Sequence, residues 1–249
     1  MKYIIDNCGQ RVEAVFSEEN AEQIFLPLLR RLASLQGARG GRVLALLAAP
    51  PGSGKSTLAA FLRQLSLNTP GLAPLTVIGM DGFHWPQRYL DSHTLLRDGK
   101  TVSLASVKGA PESFDLEALT GAIRRVAAGE ECPWPVYDRT RHDPVSGGMT
   151  VTGDIVLLEG NYLLLDAPGW RELRPLADYA IAIRADEAQL RQRLVARHVA
   201  GGKSAGAAAR HVDQSDLRNA RLCLERAIPA DLCLTLEPDG GFKVAEQRP

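Results

Sequence analysis

The sequence predicts an α/β protein of three layers, α/β/α, built on a five-stranded parallel sheet. Three observations predict it. Apolar runs of strand length recur along the chain, at Val43–Ala48, Leu75–Met80, Asp154–Gly160, Asp178–Ile183 and Leu232–Leu236. Segments of helical periodicity separate them, the pattern of parallel strands joined by crossovers. The first run leads into Ala49-Pro50-Pro51-Gly52-Ser53-Gly54-Lys55-Ser56-Thr57, a glycine-rich turn that ends in Gly-Lys-Ser and opens a helix at Leu58. Strand, glycine-rich turn, Gly-Lys-Ser and helix is the context of a phosphate-binding loop.

The elements follow in order. Tyr3–Ile5 and Val12–Phe16 flank Asn7–Gln10 and read as a hairpin. Ser17, Glu18 and Glu19 are a helix start, and Ile24, Phe25, Leu28, Leu29, Leu32 and Leu35 share one helical face, with Pro27 kinking or restarting the helix. Gly37–Gly41 reads as a linker, so residues 1–40 form an appendage to a domain of residues 41–249. After the second strand, Asp81 opens a long polar loop from Gly82 to about Glu112. Asp115 caps a helix carrying Leu116, Leu119, Ile123 and Val126, which Gly129 ends. Trp134–Pro144 reads as a turn-rich polar segment. Asp186 and Gln189 form a capping box for a helix through Val199, stopped by Gly201-Gly202. Ser215 or Asp216 starts the last long helix.

Composition narrows the function classes. The 249 residues are 45% hydrophobic, enough for a sizeable core, and 29 basic residues balance 29 acidic ones. A net charge of zero gives no electrostatic reason to expect a nucleic-acid or membrane partner. No apolar run approaches the roughly 20 residues of a membrane span, and the first residues lack a signal-peptide core. Cys8, Cys132, Cys223 and Cys233 make no Cys-x-x-Cys pair. Reduced thiols and a cytoplasmic location are the expectation.

Strand order places the chemistry. In parallel sheets ligands sit beyond the carboxyl ends of the strands, where the glycine-rich loop, Asp81 and Glu159 all lie. Gly52 and Gly54 allow positive φ and a close approach of backbone N–H groups to phosphate, with the helix N-terminus adding its dipole. Pro50 and Pro51 lack N–H groups, and Ala49 is expected to keep an extended conformation, so the cradle begins at Gly52. Pro51 through Thr57 line the nucleotide, Lys55 reaches the β- and γ-phosphates, and Ser56 ligates Mg²⁺. Asp81 is placed to accept a proton from a substrate hydroxyl; a turn cap is the plain alternative. Glu159 stands where a carboxylate holds Mg²⁺-bound water or substrate. His84, next to Asp81, joins the substrate side. Lys108 either meets a substrate or phosphate or is solvated. Tyr137, Arg139, Arg141 and His142 form a donor-rich loop suited to a polyhydroxyl or anionic ligand. Arg193 and Arg197 share a helix face, and the break at Gly201-Gly202 suggests a mobile lid over about residues 190–212, with Arg193 stabilising the transferred charge and Arg197 closing on the nucleotide phosphates. A solvated helix face is the alternative for these arginines.

Together these residues resemble the phosphoribulokinase/uridine kinase family of P-loop kinases, which includes bacterial type I pantothenate kinase. The likeness runs from about Arg42 to Leu236, through Asp81-Gly82-Phe83, Lys108–Asp115, Pro135–Asp138 and Leu158-Glu159-Gly160. It is nearest to a bacterial branch described as nucleoside/nucleotide kinase-like or fructose-transport-system kinase-like. The resemblance implies an ATP- and Mg²⁺-dependent phosphotransferase acting on a small-molecule hydroxyl, with Asp81 as base, the Tyr137–His142 region on the acceptor and Arg191–Lys203 as lid. The Gly82–Lys108 insert departs from uridine kinases, and Asn161-Tyr162 departs from both relatives. The acceptor, a sugar, sugar derivative or nucleoside, is therefore not inherited.

Two readings stand at this level. One is the kinase, with no nucleic-acid or membrane partner and with room for a homodimer. The other is a nucleotide-binding regulatory ATPase without a small-molecule acceptor. Asn-Lys-x-Asp, the guanine motif of switch proteins, is absent.

Overall fold

In the computed structural model, residues 2–7 and 10–248 are described. The chain opens with an antiparallel hairpin, β1 (Lys2–Asn7) and β2 (Gln10–Val15), with Asn7 opposite Gln10. Cys8 lies outside the described residues. Ser17 caps the next helix by accepting the Asn20 N–H at 2.9 Å. That helix begins as one α-turn, α1 (Glu18–Asn20), widens to a π-turn over Ala21–Phe25, and continues as α2 (Leu26–Arg39). The expected kink at Pro27 is thus a π-turn just upstream: proline has no N–H to give, and the widened turn shifts the hydrogen-bond register before it is reached. The helix also runs past Gly37, and Gly40 ends it at φ 66°.

Next come β3 (Val43–Ala48), α3 (Lys55–Asn68) and β4 (Leu75–Gly79). The expected polar loop after Gly82 is folded instead. Its α4 (Gln87–Ser92) and the hairpin of β5 (Thr94–Arg97) and β6 (Lys100–Ser103) enclose a small core of Leu90, Leu104, Val107 and Ala110. Those apolar residues are too widely spaced to show a period. Asp115 caps α5 (Leu116–Ala127) as predicted, accepting the Ala118 N–H. The segment read as turn-rich lies in a third hairpin, β7 (Cys132–Asp138) with β8 (Asp143–Val151). Pro133 and Pro135 disguise it; a two-stranded hairpin with a register shift between Trp134 and Val136 tolerates them.

After β9 (Ile155–Gly160) and β10 (Tyr179–Arg184), Asp186 caps α6 (Glu187–Ala200) by accepting the Ala188 and Gln189 N–H groups. The Gln189 side chain donates to the Glu237 carbonyl, so the reciprocal capping box does not form. The last helical rod starts at Ser204, well before Ser215. It comprises α7 (Ala205–His211), a π-turn over Val212–Asp216 and α8 (Leu217–Glu225). Finally β11 (Leu232–Leu236) and β12 (Phe242–Gln247) pair antiparallel.

The central sheet has the order β12-β11-β10-β3-β9-β4, parallel except for β12. The five predicted parallel strands are all present; β12 is a sixth, and its single buried side chain, Phe242, explains why alternation did not reveal it. β3 is buried on both faces. Val43, Ala45 and Leu47 face α2 and α3; Leu44, Leu46 and Ala48 face α5. On the first face Phe25 packs against the Phe61 ring of α3, with centroids 5.6 Å apart. Residues 16–32 therefore share one core with the sheet. No helix among the described residues is long and apolar enough to cross a membrane.

Candidate active site

The phosphate loop follows from its glycines. Gly52 and Gly54 both adopt φ 84°, the left-handed region that L-residues with a Cβ avoid. At Gly52 space is lacking too: a Cβ there would meet Leu194 Cγ at 2.9 Å and the Leu190 carbonyl at 3.3 Å. Ala49 is not among the positive-φ residues. The Ser53 N–H turns back to the Pro50 carbonyl at 3.3 Å. Gly54 provides no side-chain cap to α3, so the first-turn N–H groups from Lys55 to Thr57 face outward without intrahelical partners, an anion site made of backbone.

Period two aims Glu159 at this loop. Ile155 and Leu157 face the α3 side of the sheet, and Glu159, two residues on, does the same. The Ser56 hydroxyl donates to Glu159 Oε1 at 2.8 Å. Burial holds the Glu159 carboxyl above the ordinary carboxylate range; Lys55 opposes that shift, Asp81 adds to it, and the Ser56 hydrogen bond and Arg139 oppose it. A hydroxyl and a carboxylate at the strand ends are the hard oxygen donors that suit Mg²⁺.

Asp81 sits in a 3₁₀ turn, Met80–Phe83, clamped from several sides. A Cβ on Gly82 would lie 2.0 Å from the Pro135 carbonyl oxygen, so only glycine lets β7 come this close. Trp134 Nε1 donates to the Gly79 carbonyl at 2.8 Å, and the Asp115 N–H to the Phe83 carbonyl at 2.8 Å. The His84 ring stacks on Phe114, centroids 3.9 Å apart, and burial lowers its pKa, with Asp81 opposing. His84 meets Tyr137 edge-on at 5.3 Å. Burial, then Asp81 and Asp143, push the Tyr137 phenol up to about 12, so it remains a donor.

Lys108 bridges the insert and the β7–β8 hairpin. Its Nζ donates to Gln87 Oε1 at 2.7 Å and to the His142 carbonyl at 2.8 Å, and stands 5.5 Å from the Tyr137 ring centroid. Burial lowers its pKa, with Asp143 and Asp91 opposing. Asp143 in turn accepts the Gln87 N–H at 2.7 Å.

The structure thus brings together Lys55, Ser56, Asp81, His84, Lys108, Tyr137, Arg139 and Glu159. Arg193 lies over the loop; a Cβ on Gly54 would sit 3.7 Å from its Nη1 and one on Gly240 3.4 Å from its Nη2. Arg197 is exposed on the same helix. Arg141 pairs with Asp138 at 3.4 Å and is mostly in solvent, and exposed His142 contributes its carbonyl at φ 54°. Sequence reasoning missed Gln87, Asp143 and Leu194. None has a local signal, because each matters only through a partner distant in the chain.

The chain is similar to known proteins over most of its length. A model of the phosphoribulokinase / uridine kinase family matches residues 44–215. The uncharacterized protein YggC of Escherichia coli (strain K12) is 37% identical over 243 residues, spanning 97% of this chain and 98% of its own. A candidate uridine kinase of Schizosaccharomyces pombe, C227.14, is 31% identical over 199 residues, 78% of this chain and 83% of its own. Among solved structures, a candidate fructose transport system kinase from Silicibacter sp. TM1040 superposes with a TM-score of 0.70 at 36% identity, over 81% of this chain and 97% of that one.

Proposed function

Because the chain belongs to the phosphoribulokinase/uridine kinase family of P-loop kinases, we propose that it transfers the γ-phosphoryl group of ATP to a hydroxyl of a sugar or sugar derivative. The observation that carries this reading is the convergence of Lys55, Ser56, Asp81 and Glu159 at the strand ends, facing Tyr137 and Arg139 of the hairpin. In the reaction the acceptor oxygen forms a bond to the γ-phosphorus, its proton passes to Asp81, and the bond to ADP breaks. Lys55 and the loop N–H groups hold the phosphates, and Arg193 and Arg197 approach from α6, the start of a lid over about residues 190–212. Mg²⁺, when bound, supplies neutralising charge; Ser56 and Glu159 are the residues that would hold it. Tyr137, His84, Lys108 and Arg139 position the acceptor, with Arg141 and His142 at its rim.

A polyhydroxyl acceptor is favoured over a nucleoside because the nearby aromatic faces already have partners. Trp85 stacks on Tyr89 at 4.3 Å, and Tyr137 is met by His84 and Lys108. The remaining groups are hydrogen-bond donors and acceptors. The description of the Silicibacter relative as a candidate kinase of a fructose transport system agrees with this choice. The test is ADP release with Mg-ATP against monosaccharides, sugar alcohols, sugar phosphates, nucleosides and pantothenate. Stimulation by a sugar, lost in Asp81→Asn, supports the proposal; stimulation by a nucleoside or pantothenate alone replaces the acceptor class. Tight ATP binding with no stimulation by any acceptor would favour a regulatory nucleotide-binding protein.

A further inference from the structure

The helices beside the phosphate loop carry a second cluster, within and just beyond the span of the lid and made of residues given no part in binding nucleotide or acceptor. His198 on α6, His211 at the end of α7 and Asp216 in the π-turn each present a ligand atom, and these atoms lie within 4.8 Å of one another. His198 Nε2 is 2.7 Å from Asp216 Oδ2, and the two histidine rings meet with centroids 4.7 Å apart. The His198 and Asp216 side chains are 17% and 14% exposed.

A hydrogen bond between α6 and the π-turn accounts for His198 and Asp216 but leaves the third group unexplained. The π-turn places it. His211 and Asp216 are five residues apart, a spacing that diverges around a regular α-helix and aligns when the turn is widened. Single π-turns inside helices recur at functional sites.

We propose that His198, His211 and Asp216 bind a divalent transition ion of the Zn²⁺ type. Two imidazoles and a carboxylate are a three-ligand set with a fourth position left for water, and imidazole selects against Mg²⁺ and Ca²⁺. Arg197 and Lys203 act on His211 electrostatically, and they repel any loosely held cation, which restricts the site to an ion held by strong ligand bonds. Such an ion pins α6 to the α7–α8 rod. Leu194 and Arg193, which α6 lays over Gly52 and Gly54, are then held in place.

The test uses the tag-free chain, stripped with a chelator and titrated calorimetrically with Zn²⁺ in the absence of nucleotide. A single saturable Zn²⁺ per chain is expected, uncontested by equimolar Mg²⁺. Co²⁺ should give visible d–d bands without the near-ultraviolet charge-transfer band of a thiolate, which separates this site from the cysteines. His211→Ala should weaken Zn²⁺ binding by at least about tenfold, since even outer-sphere partners of metal ligands are worth that much. That variant keeps the His198–Asp216 contact, and the Co²⁺ spectrum of the unaltered chain tests the site without any variant. Absence of one-to-one uptake, a thiolate band, or unchanged affinity in His211→Ala overturns the proposal.

Discussion

The Ser56 hydroxyl donates to Glu159 Oε1 at 2.8 Å, joining the first turn of α3 to the end of β9. Register makes the contact: Glu159 stands between Leu47 and Gly79 on the neighbouring strands. Its carboxyl titrates above the ordinary carboxylate value because it is buried, so the folded chain keeps that proton longer than the unfolded chain does. Its contribution to stability is therefore largest at low pH. It declines as pH rises from the ordinary carboxylate value through the raised one. Glu159→Gln cannot ionise, so its melting temperature relative to the unaltered protein should rise across that window. Activity should fall about 100-fold or more. Thermal scans from pH 4 to 8 check the first, coupled assays the second.

Asp81→Asn and Lys55→Ala separate chemistry from binding. With the base removed, turnover should drop by about 10²- to 10⁴-fold while ATP affinity stays within about twofold of normal. Lys55→Ala should abolish measurable nucleotide binding. Calorimetric titration with ATP beside steady-state rates distinguishes the two, and an Asp81→Asn enzyme of near-full rate would remove Asp81 from the role of base.

Gly82→Ala tests the clamp on the Asp81 turn. The new methyl would press on the Pro135 carbonyl oxygen, 2.0 Å from the ideal Cβ position, and backbone on both sides leaves no flexible side chain to yield. Overpacking of this kind costs about 1–3 kcal/mol. Urea unfolding should show a lower midpoint at unchanged slope, with activity reduced because Asp81 shifts.

Lys108→Met keeps the length of the side chain and removes its two hydrogen bonds, to Gln87 and to the His142 carbonyl. The KM for the acceptor should rise about tenfold, the cost of one lost charged hydrogen bond, with the KM for ATP little changed. An equal rise in both would place Lys108 on the phosphates instead.

How far the sequence carries depends on whether a residue's role is local. Val43–Ala48 is apolar at every position because both faces are covered, and a buried parallel strand is legible for that reason alone. Gly52 and Gly54 announce their positive φ because the turn needs it within three residues. Pro133 and Pro135 conceal β7, since the rule that excludes proline from sheets holds for central strands and lapses in a two-stranded hairpin. The insert looks polar because Leu90 and Leu104 meet only once the chain has folded. Arg141 and Arg139 are indistinguishable as letters, yet one pairs with Asp138 in solvent and the other acts on the buried carboxylate. Ser204 is not legible as a helix start, because the glycines before it and the alanines after it carry no amphipathic stripe.

Tyr162, wholly buried among the core residues beside β9, donates its hydroxyl to the Gly109 carbonyl at 2.6 Å. Gly109 follows Lys108. The backbone that delivers this lysine is therefore tied to the sheet, and its conformational entropy is surrendered during folding. A ligand that meets Lys108 finds a cation already in position and gives up little further freedom on its behalf. Discrimination at such a place is decided by fit on arrival, so analogues with a displaced hydroxyl are rejected in affinity before any difference in turnover arises.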